Sequence, residues 1–203
     1  MLLEACVDNL NDGIKAFEAG ANRIEFCSRL DQDGLTPDFD QTMQLIQHIT
    51  IPVRVMIRCR SGNFNYSAEE INWMIKEIEQ FKALSIEGFV FGCLTDKNEI
   101  DYESTTKLVE AATPLPVTFH KAIDQTGNLL QSLKSIKMIK GIDTILTSGG
   151  EPTALEGVAN IAQLVSNADH LTILVAGKVD QSNIRLLSEK TGSNAFHGRK
   201  IME

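Results

Sequence analysis

Short apolar runs recur along the chain, and amphipathic stretches separate them. LLEAC (2–6), RIEFC (23–27), VRVMIR (53–58), GFVFGCL (88–94), VTFHKA (117–122), DTILTS (143–148), LTILVA (171–176) and NAFHG (194–198) read as eight strands. Most are nearly all apolar rather than strictly alternating, which predicts strands covered on both faces. The intervening segments carry helical period. INWMIKEIEQFKAL (71–84) places apolar residues at 71, 74, 75, 78, 81 and 84, the spacing of one helix face. Pro37, Ser67, Pro114, Pro116, Gly141 and Pro152 sit at the joints and mark turns and caps, with a helix expected to open at Pro152.

Strands alternating with helices predict a parallel sheet under a helical cover, and eight of them predict an α/β fold of the (β/α)8 barrel type. An open doubly wound sheet is the rival, and the missing G-x-G-x-x-G after the first strand weakens it only slightly. No low-complexity linker interrupts the chain, so residues 1–203 read as a single domain. Only five residues follow NAFHG, which leaves no room for a full eighth outer helix. An uncovered strand flank exposes apolar surface, so a homodimer or larger homo-oligomer is expected.

A covered barrel strand tolerates charge poorly unless the charge is paired or near an open end. Yet Glu4 lies in the first strand, Arg23 and Glu25 in the second, Arg58 and Arg60 at the end of the third, His120 and Lys121 at the end of the fifth, and His197 at the end of the eighth. Sites on this fold lie at the C-terminal ends of the strands. Side chains alternate along a strand, so Glu4 shares a face with Cys6, and Arg23 and Glu25 share one with Cys27. Glu4, Glu25, Arg58 and His120 are therefore expected to converge in the lumen near its mouth, with Arg60 at the rim and Lys121 on the opposite parity. A structural ion-pair plug is the alternative. Thr147, Ser148, Gly149 and Gly150 end the sixth strand, and Ser148, Gly149 and Gly150 are candidate backbone donors to an anion at a helix N-terminus; a tight turn is the alternative there.

Composition narrows the partners. The formal net charge is −8, which argues against a nucleic-acid or anionic-membrane surface. No stretch approaches a membrane span, and Glu4 and Asp8 interrupt what a signal peptide would need, so the chain reads as cytoplasmic. Its four cysteines show no C-x-x-C pair and are expected as free thiols. Cys93 reads as a core residue, and Cys59 should face away from Arg58 and Arg60. Cys6 and Cys27 repeat an E-x-C pattern on neighbouring strands and could hold a soft ion such as Cu(I).

LLEACVDN, ANRIEFCSRLDQDGLTP, IPVRVMIRCRSGNFNYS, LPVTFHKAID and ILTSGGEPTALEG resemble the signature segments of the CutC copper-homeostasis family, over nearly the whole chain. The resemblance implies a TIM barrel, a cytosolic location, a role in copper homeostasis and Cu(I) ligation at Cys6 and Cys27. The family's R-P-R appears here as Arg58-Cys59-Arg60, and its glycine-rich loop after the seventh strand is one residue shorter, as Ala176-Gly177-Lys178-Val179. Two readings stand. One is a Cu(I)-binding copper-homeostasis protein. The other is a barrel enzyme acting on a small anionic metabolite. There Arg58 and Arg60 hold the anion, Glu4 or Glu25 is the base, and His120 is an acid–base or electrophilic partner.

Overall fold

The computed structural model describes residues 1–203. Eight parallel strands close on themselves in chain order: β1 (Leu2–Val7), β2 (Arg23–Phe26), β3 (Val53–Met56), β4 (Gly88–Phe91), β5 (Val117–Phe119), β6 (Ile142–Thr147), β7 (Thr172–Val175) and β8 (Ala195–Gly198). Seven α-helices lie between them: α1 (Leu10–Glu18), α2 (Phe39–His48), α3 (Ala68–Phe81), α4 (Tyr102–Ala112), α5 (Leu129–Lys137), α6 (Val158–Ser166) and α7 (Ile184–Thr191). Short 3-10 turns, Leu30–Gln32 and Lys121–Gln125, decorate the loops after β2 and β5. The architecture is the (β/α)8 barrel without an eighth outer helix.

Local chemistry sets the helix starts. Ser67 caps α3, accepting from the Glu70 N–H while the Glu70 side chain returns to the Ser67 N–H. The helix therefore begins earlier than periodicity alone implies, and Ile71, Met74, Ile78 and Phe81 form its buried face. Most strands end sooner than their apolar runs. Arg58, Arg60, His120 and Ser148 consequently sit just beyond the last paired residues, on the loops at the barrel mouth.

The helix expected at Pro152 does not form there, and α6 opens at Val158. Gly149 and Gly150 hold positive φ, 74° and 77°, which no right-handed helix can include. The close approach of the Gly157 backbone to Ser148 also leaves no room for a side chain at 157: an added Cβ would lie 1.9 Å from the Ser148 carbonyl oxygen.

The flank left without a helix is not bare. Ala5, Val7 and Phe196, which face outward from β1 and β8, are all buried, and Ile201 and Met202 pack in the same core. Little of the outward face of these two strands is left as the exposed apolar stripe on which a homo-oligomer is expected, with Leu3 half-buried there.

Candidate functional site

The strand register brings the inward charges into one file. Glu4 pairs with Arg23 and His197 across β1–β2 and β1–β8, Cys6 with Glu25 across β1–β2, and Glu25 with Arg54 across β2–β3. At the N-terminal end of the lumen Arg54 is fully buried. Its guanidinium donates to Glu87 at 2.8 Å, to both oxygens of Asp143 at 2.8 and 2.7 Å, and to the hydroxyl oxygens of Thr118 and Thr144. Arg23 bridges Glu87 at 3.3 Å and Glu4 at 2.5 Å. Charges of alternating sign thus run from Asp143 up to Glu4, each paired with the next, which is how a lumen can hold charge. Arg54 was not singled out from the sequence, although it shares a face with Met56 and Arg58.

Above this file lies a second cluster. His197 Nδ1 is 2.8 Å from Glu4 Oε1, and its Nε2 is 4.0 Å from Glu25 Oε1. The Cys6 thiol donates to Glu25 Oε1 at 3.3 Å. One ligand atom from each of Cys6, Glu25 and His197 lies within 4.8 Å of the others, and all three residues are buried. Glu25 Oε2 is buried with no hydrogen-bond partner. The sequence reading placed His197 at a strand end but gave it no role. Strand closure supplies that role by setting β8 beside β1.

The electrostatics follow from burial against charge. Burial pushes the Glu4 carboxyl up, but the hydrogen bond from His197 and the charges of Arg23 and His197 outweigh it and hold the group at about 2. Glu25 has no such direct guanidinium partner; burial raises it, and the charge of Glu4 adds to the rise. Burial would keep His197 neutral, yet the flanking Glu25, Cys6 and Glu4 raise it well above the ordinary histidine value. The Cys6 thiol is pushed up by its hydrogen bond with Cys27, then by burial and the charge of Glu25.

Cys6 and Cys27 join Met56 and Val90 in one small buried cluster at the edge of this site. Gly34 lies against this cluster: a Cβ there would come into ordinary contact with Cys27 Sγ (3.4 Å) and Met56 Cε (3.7 Å). Two thiols and a thioether are soft donors in a water-poor setting, so the residues present fit Cu(I). Cys93 is a core residue, as expected, and Cys59 is half-buried.

Arg58 and His120 form a separate neighbourhood, and no hydrogen bond or ion pair joins them to Glu4 or Glu25. The Arg58 guanidinium stacks on Phe64 at 4.7 Å, and Phe64 packs on His120 at 4.7 Å. Its two terminal nitrogens donate to the carbonyls of Gln32, Asp33, Gly34 and Gly62, so the residue ties two mouth loops together. His120 Nδ1 accepts from the Ala122 N–H, which leaves the proton on Nε2. Burial, then the Arg58 charge, lowers His120 to about 3, so it is neutral across the physiological range. An added Cβ at Gly92 would lie 2.8 Å from that Nδ1, so a glycine there makes room for the ring. Arg58 Nε, His120 Nε2 and Tyr66 Oη are buried without partners.

The remaining candidate anion donors are already engaged. Arg60 sits at the rim but pairs with Glu70 through Nε at 2.5 Å and Nη2 at 3.2 Å. The N–H groups of Ser148 and Gly150 donate to the Asp124 carboxylate, each at 2.9 Å, and the Gly149 N–H donates to Thr147 Oγ1. The Thr147 and Ser148 hydroxyls also donate to Asp124. The small-residue loop is thus an anion cradle, filled by a carboxylate of this chain rather than by a ligand at a helix N-terminus. Lys121 completes it, contacting Asp124 at 2.8 Å and the Ser148 hydroxyl.

A closed (β/α)8 barrel with a buried thiol–carboxylate–imidazole cluster near the C-terminal ends of β1, β2 and β8 defines the class. The chain belongs to the CutC family, whose model matches residues 1–202. The copper homeostasis protein cutC homolog of Mus musculus is 38% identical over 197 residues, covering 97% of this chain and 72% of the relative. The family protein CutC of Photobacterium profundum is 38% identical over 196 residues, 96% of this chain and 80% of its own. The crystal structure of a Streptococcus agalactiae protein assigned to copper homeostasis as CutC superposes with a TM-score of 0.93 at 32% identity, covering 99% of both chains. Phosphonopyruvate hydrolase, at 14% identity and a TM-score of 0.70 over 98% of this chain and 76% of its own, shares the barrel fold alone.

Proposed function

We propose that this chain serves copper homeostasis by binding Cu(I) through Cys6 and Cys27. The observation that carries the reading is their meeting, from adjacent strands, in one buried cluster with the Met56 thioether. The copper-homeostasis names of the relatives agree with it. Low-coordinate binding of a soft ion needs sulfur donors and little water; this cluster supplies the sulfurs in a buried setting, and a bound ion displaces their protons. The test is Cu(I) competition against a chromogenic chelator under reducing conditions. The Cys6→Ser/Cys27→Ser double variant should lose the site, and undiminished Cu(I) binding by that variant would remove the proposal.

A cytoplasmic location is part of this reading. It is supported by four free thiols, which persist in a reducing compartment, and no helix is long and apolar enough to cross a membrane. Assembly as a homodimer or larger homo-oligomer is also part of it. Seven helices around eight strands support it, and the buried Phe196 flank counts against it. Light scattering decides, and a 22.4 kDa particle would remove the oligomer.

The second reading is an enzyme acting on a small anionic metabolite, favoured by the three unpartnered donors of Arg58, His120 and Tyr66. Within it Glu25, with its raised carboxyl, is the better base. Glu4 is locked between Arg23 and His197. Native mass spectrometry of the purified protein tests this reading, and a preparation carrying no small anion would count against it.

A further inference from the structure

Cys6 also belongs to a second donor set, which the copper reading does not use. We infer that Cys6 Sγ, a Glu25 carboxylate oxygen and His197 Nε2 form a site for a borderline divalent cation of the Zn(II) class, separate in ion preference from the thiol pair.

Four observations carry this. The first is spacing. Tetrahedral zinc with bonds of about 2.0–2.3 Å holds its ligand atoms roughly 3.3–3.8 Å apart. Cys6 Sγ and Glu25 Oε1 are 3.3 Å apart, His197 Nε2 and Glu25 Oε1 are 4.0 Å apart, and all three groups fit within 4.8 Å. Bringing all three onto one ion takes shifts of up to about an ångström.

The second is the orphaned Glu25 Oε2, a buried acceptor that nothing in the chain satisfies. The third is the orientation of the imidazole. Glu4 holds Nδ1 at 2.8 Å, so Nε2 is the nitrogen turned to Glu25. A carboxylate behind a ligating histidine fixes both its ring and its tautomer. Arg23 in turn holds Glu4.

The fourth is charge and hardness. As ligands, Cys6 and Glu25 contribute a thiolate and a carboxylate, and His197 a neutral imidazole. Glu4 is balanced by Arg23. A divalent ion brings the three-ligand set to neutrality, whereas Cu(I) would leave one buried negative charge uncompensated. A carboxylate oxygen is also a poor partner for Cu(I) and an ordinary one for zinc. Three protein ligands leave a fourth position open.

The site does not depend on the thiol-pair reading, and the two fail separately. Apo full-length protein, reduced, is titrated with Co(II) as a spectroscopic stand-in and then with Zn(II). The expected result is one equivalent of Co(II) with a thiolate-to-cobalt charge-transfer band and intense tetrahedral visible bands, all bleached by Zn(II). Glu25→Gln is nearly isosteric and should weaken Co(II) binding by about 100-fold or more, as should His197→Gln. Both should keep Cu(I) affinity. Cys27→Ser should do the reverse, weakening Cu(I) and sparing the cobalt spectrum. Circular dichroism confirms that each variant is folded. A wild-type protein without the charge-transfer band, or Co(II) affinity unchanged in folded Glu25→Gln, overturns the inference.

Discussion

His197 Nδ1 and Glu4 Oε1 lie 2.8 Å apart although 193 residues separate them in the chain. Closure of β8 onto β1 makes them register neighbours, and Glu4 then sets the direction of the imidazole. Glu4→Gln is therefore expected to weaken divalent-metal binding by about 10- to 100-fold without removing a ligand. Co(II) titration of this variant beside wild type checks it, and equal affinity would show that His197 is oriented by something else.

Arg54 is expected to be a structural charge. Arg54→Met leaves Glu87 and Asp143 without their shared guanidinium and strips the buried Thr118 and Thr144 hydroxyls of a donor. Removing one partner from a buried network costs about 3–5 kcal/mol, and partial solvent access at Glu87 and Asp143 places this case toward the lower end. Urea unfolding measures the loss. Metal affinity should not change.

The cradle around Asp124 offers a gain-of-binding test. Asp124→Ala removes the carboxylate that satisfies the Ser148 and Gly150 N–H groups and leaves Lys121 unpaired beside them. The variant is expected to be less stable than wild type and to be stabilised selectively by phosphate or sulfate. Occupancy at 100 times Kd is worth about 2.7 kcal/mol. Thermal melts with and without phosphate, against chloride at equal ionic strength, decide it. An identical response in both proteins would mean that the loop collapses when Asp124 is lost.

His120 imposes an acid limb on stability. An unfolded histidine takes up a proton near pH 6.5, whereas the folded side chain stays neutral down to about 3. Between those values acid favours the unfolded chain, by up to about 1.4 kcal/mol per pH unit. His120→Asn should flatten that part of the profile, whatever its effect on stability at neutral pH. Denaturant unfolding at pH 7, 6, 5 and 4 measures the slope, and parallel profiles would show that other groups dominate.

Much was legible in one dimension. Apolar run length and spacing report burial on both faces and the strand–helix alternation, and they predict the barrel because those properties are local. Strand parity is local too, so the inward direction of Glu4, Cys6, Glu25 and Cys27 could be read from the E-x-C repeats. What the tertiary structure alone decided was the partner of each polar group. Arg54 reaches Asp143 across 89 residues, Glu4 and His197 meet through closure, and Asp124 occupies the loop that looked ready for an anion. Ser148 and Gly150 turn their N–H groups to a carboxylate, though not at a helix N-terminus, and Gly149 turns its own to Thr147. Whether a donor faces a ligand or a residue of its own chain depends on distances that chain order does not contain. For the same reason a buried charge in a strand says only that it must be paired, and only the folded register says with what.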